Sequence, residues 1–159
     1  MRENIGLYRG KRKDNGEWVE GAFLHLNVGR DFICDGTVWI GTLQPVKYEV
    51  YPDTVCQHTG LTDKNGRKIF EGDILEFEDV GETGYEYKEG FDFTNRAAVV
   101  WEHGRWCMDK FLETNSGVLD DMNGHFHDDF ILVFGAGKVI GNIHDDKELL
   151  EEKGKTNEL

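Results

Sequence analysis

The sequence predicts a mainly β protein: a hairpin-rich small barrel with a short C-terminal helix. Three observations predict it. Asn15-Gly16, Asp35-Gly36 and Asn65-Gly66 each stand between short apolar runs, and such pairs suit hairpin turns whose positive φ matches strand twist. The runs are rich in Val, Ile, Phe, Trp and Tyr, residues that fit a pleated, half-buried surface. The 159 residues are enough to build a core without covalent staples.

The elements follow in order. Residues 6–9 and 18–24 flank the turn at 13–16, and residues 32–34 and 37–40 flank Asp35-Gly36. Residues 57–61 and Ile69-Phe70 flank the turn at 63–66. Ile74-Leu75-Glu76-Phe77 is a strand, and the polar, acidic stretch 78–96 is an excursion or a long hairpin with a mobile tip. Residues 97–101 form the next strand, and Glu102-His103-Gly104 turns the chain into 105–108. A turn is expected at 120–124, then strands at 130–134 and 138–143. Helix is expected only at the end, where Asp145 and Glu148 have capping-box spacing and Gly154 would stop it. So short a helix does not stand alone in water, so Leu149 and Leu150 must dock. The expected divisions are a hairpin subdomain at 1–51, a barrel region with its terminal helix at 52–154, and a frayed tail at 155–159. Within the second, residues 69–77 and the hairpin 99–106 have SH3-like character.

The formal net charge is −13, from 31 acids against 18 bases. A surface this acidic repels phosphate backbones, so nucleic acid is not an expected partner by charge neutralisation. The cluster Arg9, Lys11, Arg12 and Lys13 reads as a solvated turn. No run of about 18 apolar residues exists for a membrane span, and the first six residues carry no apolar signal region. Cys34, Cys56 and Cys107 are scattered, as expected for reduced thiols in a cytoplasm.

The stretch from Gln57 to Phe77 is the densest in turn and charge signals. It fails as a phosphate loop, because five residues separate Gly60 from Gly66 and Arg67 stands where Lys is required. It fails as a calcium loop, because Leu61 and Gly72 occupy ligand positions. Glu71 and Asp73 share a strand face, where paired carboxylates would serve acid–base chemistry if they lined a pocket. The structural alternative is a Glu-Gly-Asp bend in which one of them bonds turn backbone, Gly66 takes positive φ, and Ile69, Ile74 and Phe77 are buried.

Elsewhere, His125, His127 and Asp129 would face one way on a strand as a metal set, or form a polar loop. Cys107 and His103 make a weak nucleophile pair with no third group to orient them. Trp18, Trp39, Trp101 and Trp106 read as core and interface side chains rather than a base-stacking platform. No catalytic constellation and no cofactor motif is found, so no enzyme and no cofactor is expected.

Three blocks carry a resemblance. They are residues 57–74, residues 8–12 with 14–19, and residues 139–144 with Glu148-Leu149-Leu150. Together they resemble the signature of the YopX family of phage and prophage proteins, with Gly60, Asp63, Asn65, Gly66, Glu71, Gly72, Asp73, Gly141 and Asn142 as signature positions. The resemblance implies a small cytoplasmic protein of a phage or prophage in a low-GC Gram-positive host. It implies multi-subunit assembly, with no assigned activity and no catalytic residues. The family is sometimes described as helical; the turn-rich sequence predicts strand. The expected function is a non-enzymatic, oligomeric accessory or protein-interaction module, with itself and a host or phage protein as partners. The alternatives are a nucleic-acid-related module, an acidic DNA mimic acting on a host protein, and a metal-dependent enzyme using His125 and His127.

Overall fold

A computed structural model describes residues 6–81, 91–123 and 128–151. The chain forms two compact units, Met1–Gly60 and Leu61–Leu159. The divide falls after Gly60 rather than after Tyr51, because the strand that follows Pro52 pairs with the first strand (Tyr8↔Gln57, Arg9↔Cys56).

The first unit holds β1 (Leu7–Lys11), β2 (Trp18–Leu26), β3 (Arg30–Cys34), β4 (Tyr48–Val50), a 3-10 turn (Pro52–Thr54) and the start of β5 (Cys56–Thr62). Their order is β4-β3-β2-β1-β5. The Asn-Gly turn sets the first hairpin in the register Lys11↔Trp18 to Leu7↔Ala22, with Gly16 at φ 73° and the Asn15 side chain accepting from the Glu17 backbone. Strand alternation then sends Val19, Ile33 and Val50 into one core, with Tyr8, Phe23, Tyr48 and Val55 packed on it. β4 is bonded on both sides. It pairs with β3, while the Lys13 N–H donates to the Glu49 carbonyl and the Tyr51 N–H to the Lys11 carbonyl, both at 2.9 Å. The strands of this unit therefore close a ring, with the bridge Arg12↔Val50 at the seam.

In the second unit the end of β5 is followed by β6 (Lys68–Phe70), β7 (Asp73–Gly81), β8 (Phe91–Glu102), β9 (Arg105–Asp109), α1 (Gly117–Asn123), α2 (Asp128–Ala136), β10 (Lys138–Asn142) and a 3-10 turn (Lys147–Leu150). The sheet order is β10-β7-β8-β9, an open sheet among the described residues. Its core is Ile69, Leu75, Phe77, Ala97, Val99, Met108, Phe134 and Val139, with Leu61, Trp106 and Phe111 packed against it.

The chain is mainly β, with elements that depart from the sequence reading. The acidic stretch is the long hairpin of the two expected forms: β7 and β8 pair from Ile74↔Ala98 to Gly81↔Phe91, and the tip at 82–90 lies outside the described residues. Residues 37–40 form no strand beyond the bridge Val38↔Pro45. The turn expected at 120–124 is helical through Asn123. Ser116 caps that helix, accepting from the Leu119 N–H at 3.0 Å. The strand expected at 130–134 is helix α2, although Ile, Leu, Val and Phe favour strand. Phe134 and Val133 meet the core while Leu132 stays exposed, which is helical rather than alternating spacing. After it, Gly137 lets the chain pass close to β7, since a Cβ there would sit 3.1 Å from the Glu76 carbonyl oxygen.

The helix expected at the C-terminal end is one 3-10 turn. The Asn142 side chain accepts from the His144 and Asp145 N–H groups, and the Asp146 carboxylate accepts from the Asn142 N–H. These local side-chain bonds compete with a longer helix. Leu149 and Leu150 are half-buried, and the Leu149 carbonyl accepts from Arg96.

Candidate functional site

The signature stretch works as scaffold. The Asp63 carboxylate is buried: Oδ1 accepts from the Asn65 and Arg67 N–H groups, and Oδ2 from the Val139 N–H, all at 2.9 Å. Burial pushes this carboxyl up, but the N–H groups of Val139, Arg67 and Asn65 outweigh it and hold the group below the usual carboxylate range. With three backbone donors on its two oxygens, Asp63 ties the turn between β5 and β6 to β10. Gly66 takes φ 78° as the turn demands, and Gly60 takes φ 86°.

The Glu-Gly-Asp bend follows the same logic. Asp73 is buried, and its Oδ2 accepts from the Phe70 N–H at 2.8 Å. Gly72, at φ 81°, donates to the Val99 carbonyl and accepts from the Ile143 N–H, both at 2.8 Å. Glu71 is half-buried beside it, and Ile69, Ile74 and Phe77 are buried. Gly141 follows a register shift in β10, and a Cβ there would lie 2.6 Å from the Asp146 carboxylate. Asp63, Gly72, Asp73, Gly141 and Asn142 thus belong to the backbone contacts that join the β5–β6 turn and the Glu-Gly-Asp bend to β10 and the residues after it.

The sequence reading did not foresee the buried polar network around Asp79 in this unit. Asp79 Oδ2 accepts from Ser116 Oγ at 2.5 Å and from the Asn95 amide at 2.9 Å, while Oδ1 accepts from the Val118 N–H at 3.2 Å. Asn95 in turn bonds both backbone groups of Glu113. This network fastens the start of α1 to the β7–β8 ribbon.

His125 and His127 lie outside the described residues. The backbone at Asp129 is helical, so the alternation that would align the three on a strand does not apply. Among the described residues no group of three His, Cys, Asp or Glu side chains is placed to hold a metal. Cys107 is buried, which pushes its thiol up, and no hydrogen bond among the described residues joins it to His103, an exposed turn residue at φ 52°.

The cluster near Arg9 is neutralised locally. Arg12 is paired with Asp14, and Lys13 and Arg30 share Glu49. The two donors hold the Glu49 carboxyl down to about 2. Arg9 and Lys11 lie over the Trp18 ring and Arg12 over Tyr48. These cations and rings are in contact with each other.

One surface is different. Residues 36–46 contain no charged residue, in a chain that is 31% charged. The backbone of this loop is internally bonded: Val46 to Thr37, Trp39 to Gln44, and Leu43 to Trp39, with the Thr37 N–H donating to the Asp35 carboxylate. Its large side chains point outward. Trp39 is 61% exposed, Leu43 76% and Ile40 100%. Leu43 adopts φ 55°, a conformation that costs a branched side chain energy. Of the other tryptophans, Trp101 is half-exposed and stacked edge-on with Trp106, and Trp18 is half-buried.

The YopX protein family matches this chain over residues 7–151. The chain belongs to the YopX family. Among solved structures the chain is similar to protein EF1440 from Enterococcus faecalis, at 25% identity and a TM-score of 0.52, over 92% of this chain and 99% of that one. No curated protein matches. No helix among the described residues is long and apolar enough to cross a membrane.

Proposed function

We propose that this YopX protein is a non-enzymatic, cytoplasmic accessory protein of a phage or prophage that acts by binding protein, first of all further copies of itself. The observation that carries this reading is the uncharged loop at 36–46, which exposes Trp39, Ile40 and Leu43 on a tethered backbone. Aromatic side chains without neighbouring charge have the composition of an interface core. The buried carboxylates support the same reading. Asp63 and Asp79 have both oxygens occupied by donors of the fold, so neither is placed to move a proton for a substrate. The phage setting is part of this proposal and rests on what the resemblance of the three sequence blocks implies.

The test is mass in solution, by light scattering or analytical ultracentrifugation of the purified chain. A multiple of the 18.2 kDa chain mass is expected. A monomer at every attainable concentration would overturn the reading.

A further inference from the structure

We infer that Asn65 is a site of spontaneous covalent modification, its side-chain amide converting to a carboxylate through attack by the backbone nitrogen of Gly66. The reaction needs water alone. The Gly66 nitrogen bonds to the Asn65 Cγ, the proton on that nitrogen departs with the side-chain amide as ammonia, and a succinimide ring remains. Water then opens the ring at either carbonyl. One opening gives aspartate. The other gives iso-aspartate, whose main chain runs through Cβ and Cγ and is one atom longer. A glycine in the attacking position puts no side chain in the way.

Two Asn-Gly turns of this chain point to the site by their difference. Gly16 and Gly66 take φ 73° and 78°, and their N–H groups donate to the Arg12 and Asp63 carbonyls, both at 2.9 Å. Both asparagines are exposed. The attacking nitrogens are therefore held alike, and the side chains differ. The Asn15 amide is tethered at both ends: Oδ1 accepts from the Glu17 N–H at 2.9 Å, and Nδ2 donates to the Glu17 carboxylate at 3.2 Å. Among the described residues nothing bonds the Asn65 side chain, so its Cγ reaches the Gly66 nitrogen without breaking a tether. Charge separates the two further. Attack requires the backbone nitrogen to give up its proton and passes through an oxyanion. Lys64, Arg67 and Lys68 flank Asn65, whereas Asn15 lies between Asp14 and Glu17, and the bases before it, Arg12 and Lys13, are paired with Asp14 and Glu49. Cations within a Debye length favour the anion, and carboxylates oppose it. A third pair, Asn123-Gly124, has its glycine outside the described residues.

The effect of the modification follows from what this turn holds. Asp63 Oδ1 accepts from the Asn65 and Arg67 N–H groups, and its Oδ2 accepts from the Val139 N–H. A longer main chain between Asn65 and Arg67 shifts the second of these donors. A new carboxylate at position 65 also adds like charge two residues from the buried one. Conversion of Asn65 thus loosens the tie between the β5–β6 turn and β10.

The test is a peptide map, by mass spectrometry, of the folded chain after incubation at mildly alkaline pH and low ionic strength, with iso-aspartate read by an isoaspartyl methyltransferase. Conversion is expected to be several-fold faster at Asn65 than at Asn15. Glu17→Ala, which releases the Asn15 amide, should speed conversion at Asn15 and leave Asn65 unchanged. Unfolded in guanidinium chloride, the chain should convert the two at similar rates. The modified fraction should lose hydrogen-exchange protection at β10, and Asn65→Ser carried through the same incubation should keep it. Conversion in the folded chain that is as fast at Asn15 as at Asn65, a difference that survives in guanidinium chloride, or a modified fraction as protected at β10 as the parent overturns the inference.

Discussion

The two units of the chain meet one problem, holding a small β structure together, with different chemistry. The first closes a ring of short strands around Val19, Ile33 and Val50, and lines its edges with ion pairs and cation–ring contacts that leave it near neutrality. The second keeps an open sheet and carries nearly all the net negative charge. It compensates with buried carboxylates: Asp63 and Asp79 gather backbone donors from segments far apart in sequence, and Asp73 takes one from Phe70 in its own bend. A ring satisfies its strand edges by closure. An open sheet with long connections leaves backbone groups to be satisfied by side chains. Charge in the first unit therefore sits mostly on its surface, with Arg9 and Asp31 buried, while in the second buried carboxylates hold connections together.

The sharpest way to break this comparison is steric. A Cβ at Gly21 would lie 2.0 Å from the Cys34 carbonyl oxygen and 2.9 Å from the Asp35 Cα, and backbone there cannot swing away as a side-chain tip can. Gly21→Ala is expected to cost more than about 3 kcal/mol. Hydrogen exchange should lose protection chiefly at β2 and β3. Next comes Asp63→Asn, which sets an amide donor against a backbone N–H. A loss of about 2–3 kcal/mol is expected in denaturant unfolding, with protection lost at β10. Asp79→Asn removes an acceptor from the Ser116–Asn95 network. It should cost about 1–2 kcal/mol and release α1 first.

The smallest expected effect is in pH. The folded-state pKa of Glu49 is lowered to about 2 from 4.5 by hydrogen bonds from Arg30 and Lys13. A lowered carboxyl contributes stability that is present above its unfolded value and lost as the pH falls through its folded value. The contribution of Glu49 should therefore fade between about pH 4.5 and 2. Glu49→Gln should flatten the acid limb of an unfolding curve followed at the first unit. The shift at Asp63 has the same sign, so the second unit also loses stability on acidification. An acid limb unchanged by Glu49→Gln would mean that the ion pairs at the ring seam contribute nothing.

Turn glycines were legible because the residue itself dictates φ, and the hairpins around Gly16 and Gly66 formed as expected, whereas after Gly36 the chain makes a loop and β3 pairs with β4 instead. Gly16, Gly36 and Gly66 all take positive φ, and no partner elsewhere in the chain is needed to require it. The Glu-Gly-Asp bend was legible for the same reason, with Gly72 at positive φ. Helix α1 had a usable signal in Ser116 followed by Asp120 and Asp121, a cap with acids near the first turn, and the sequence reading passed over it. Helix α2 had little signal, because Ile131 to Phe134 favour strand by propensity.

What the sequence by itself determined is therefore local: turn positions, strand-rich composition, acidity and the YopX signature. These follow from steric limits on φ and from side-chain chemistry that acts within a few residues. Tertiary structure alone decided that β4 closes a ring with the chain just after β1, that Asp63 reaches Val139, and that Asp79 reaches Ser116. It also decided that Trp39, Ile40 and Leu43 stand outside the core rather than in it. An apolar run reads alike whether it is buried or presented, because burial is a property of what the rest of the chain packs against it.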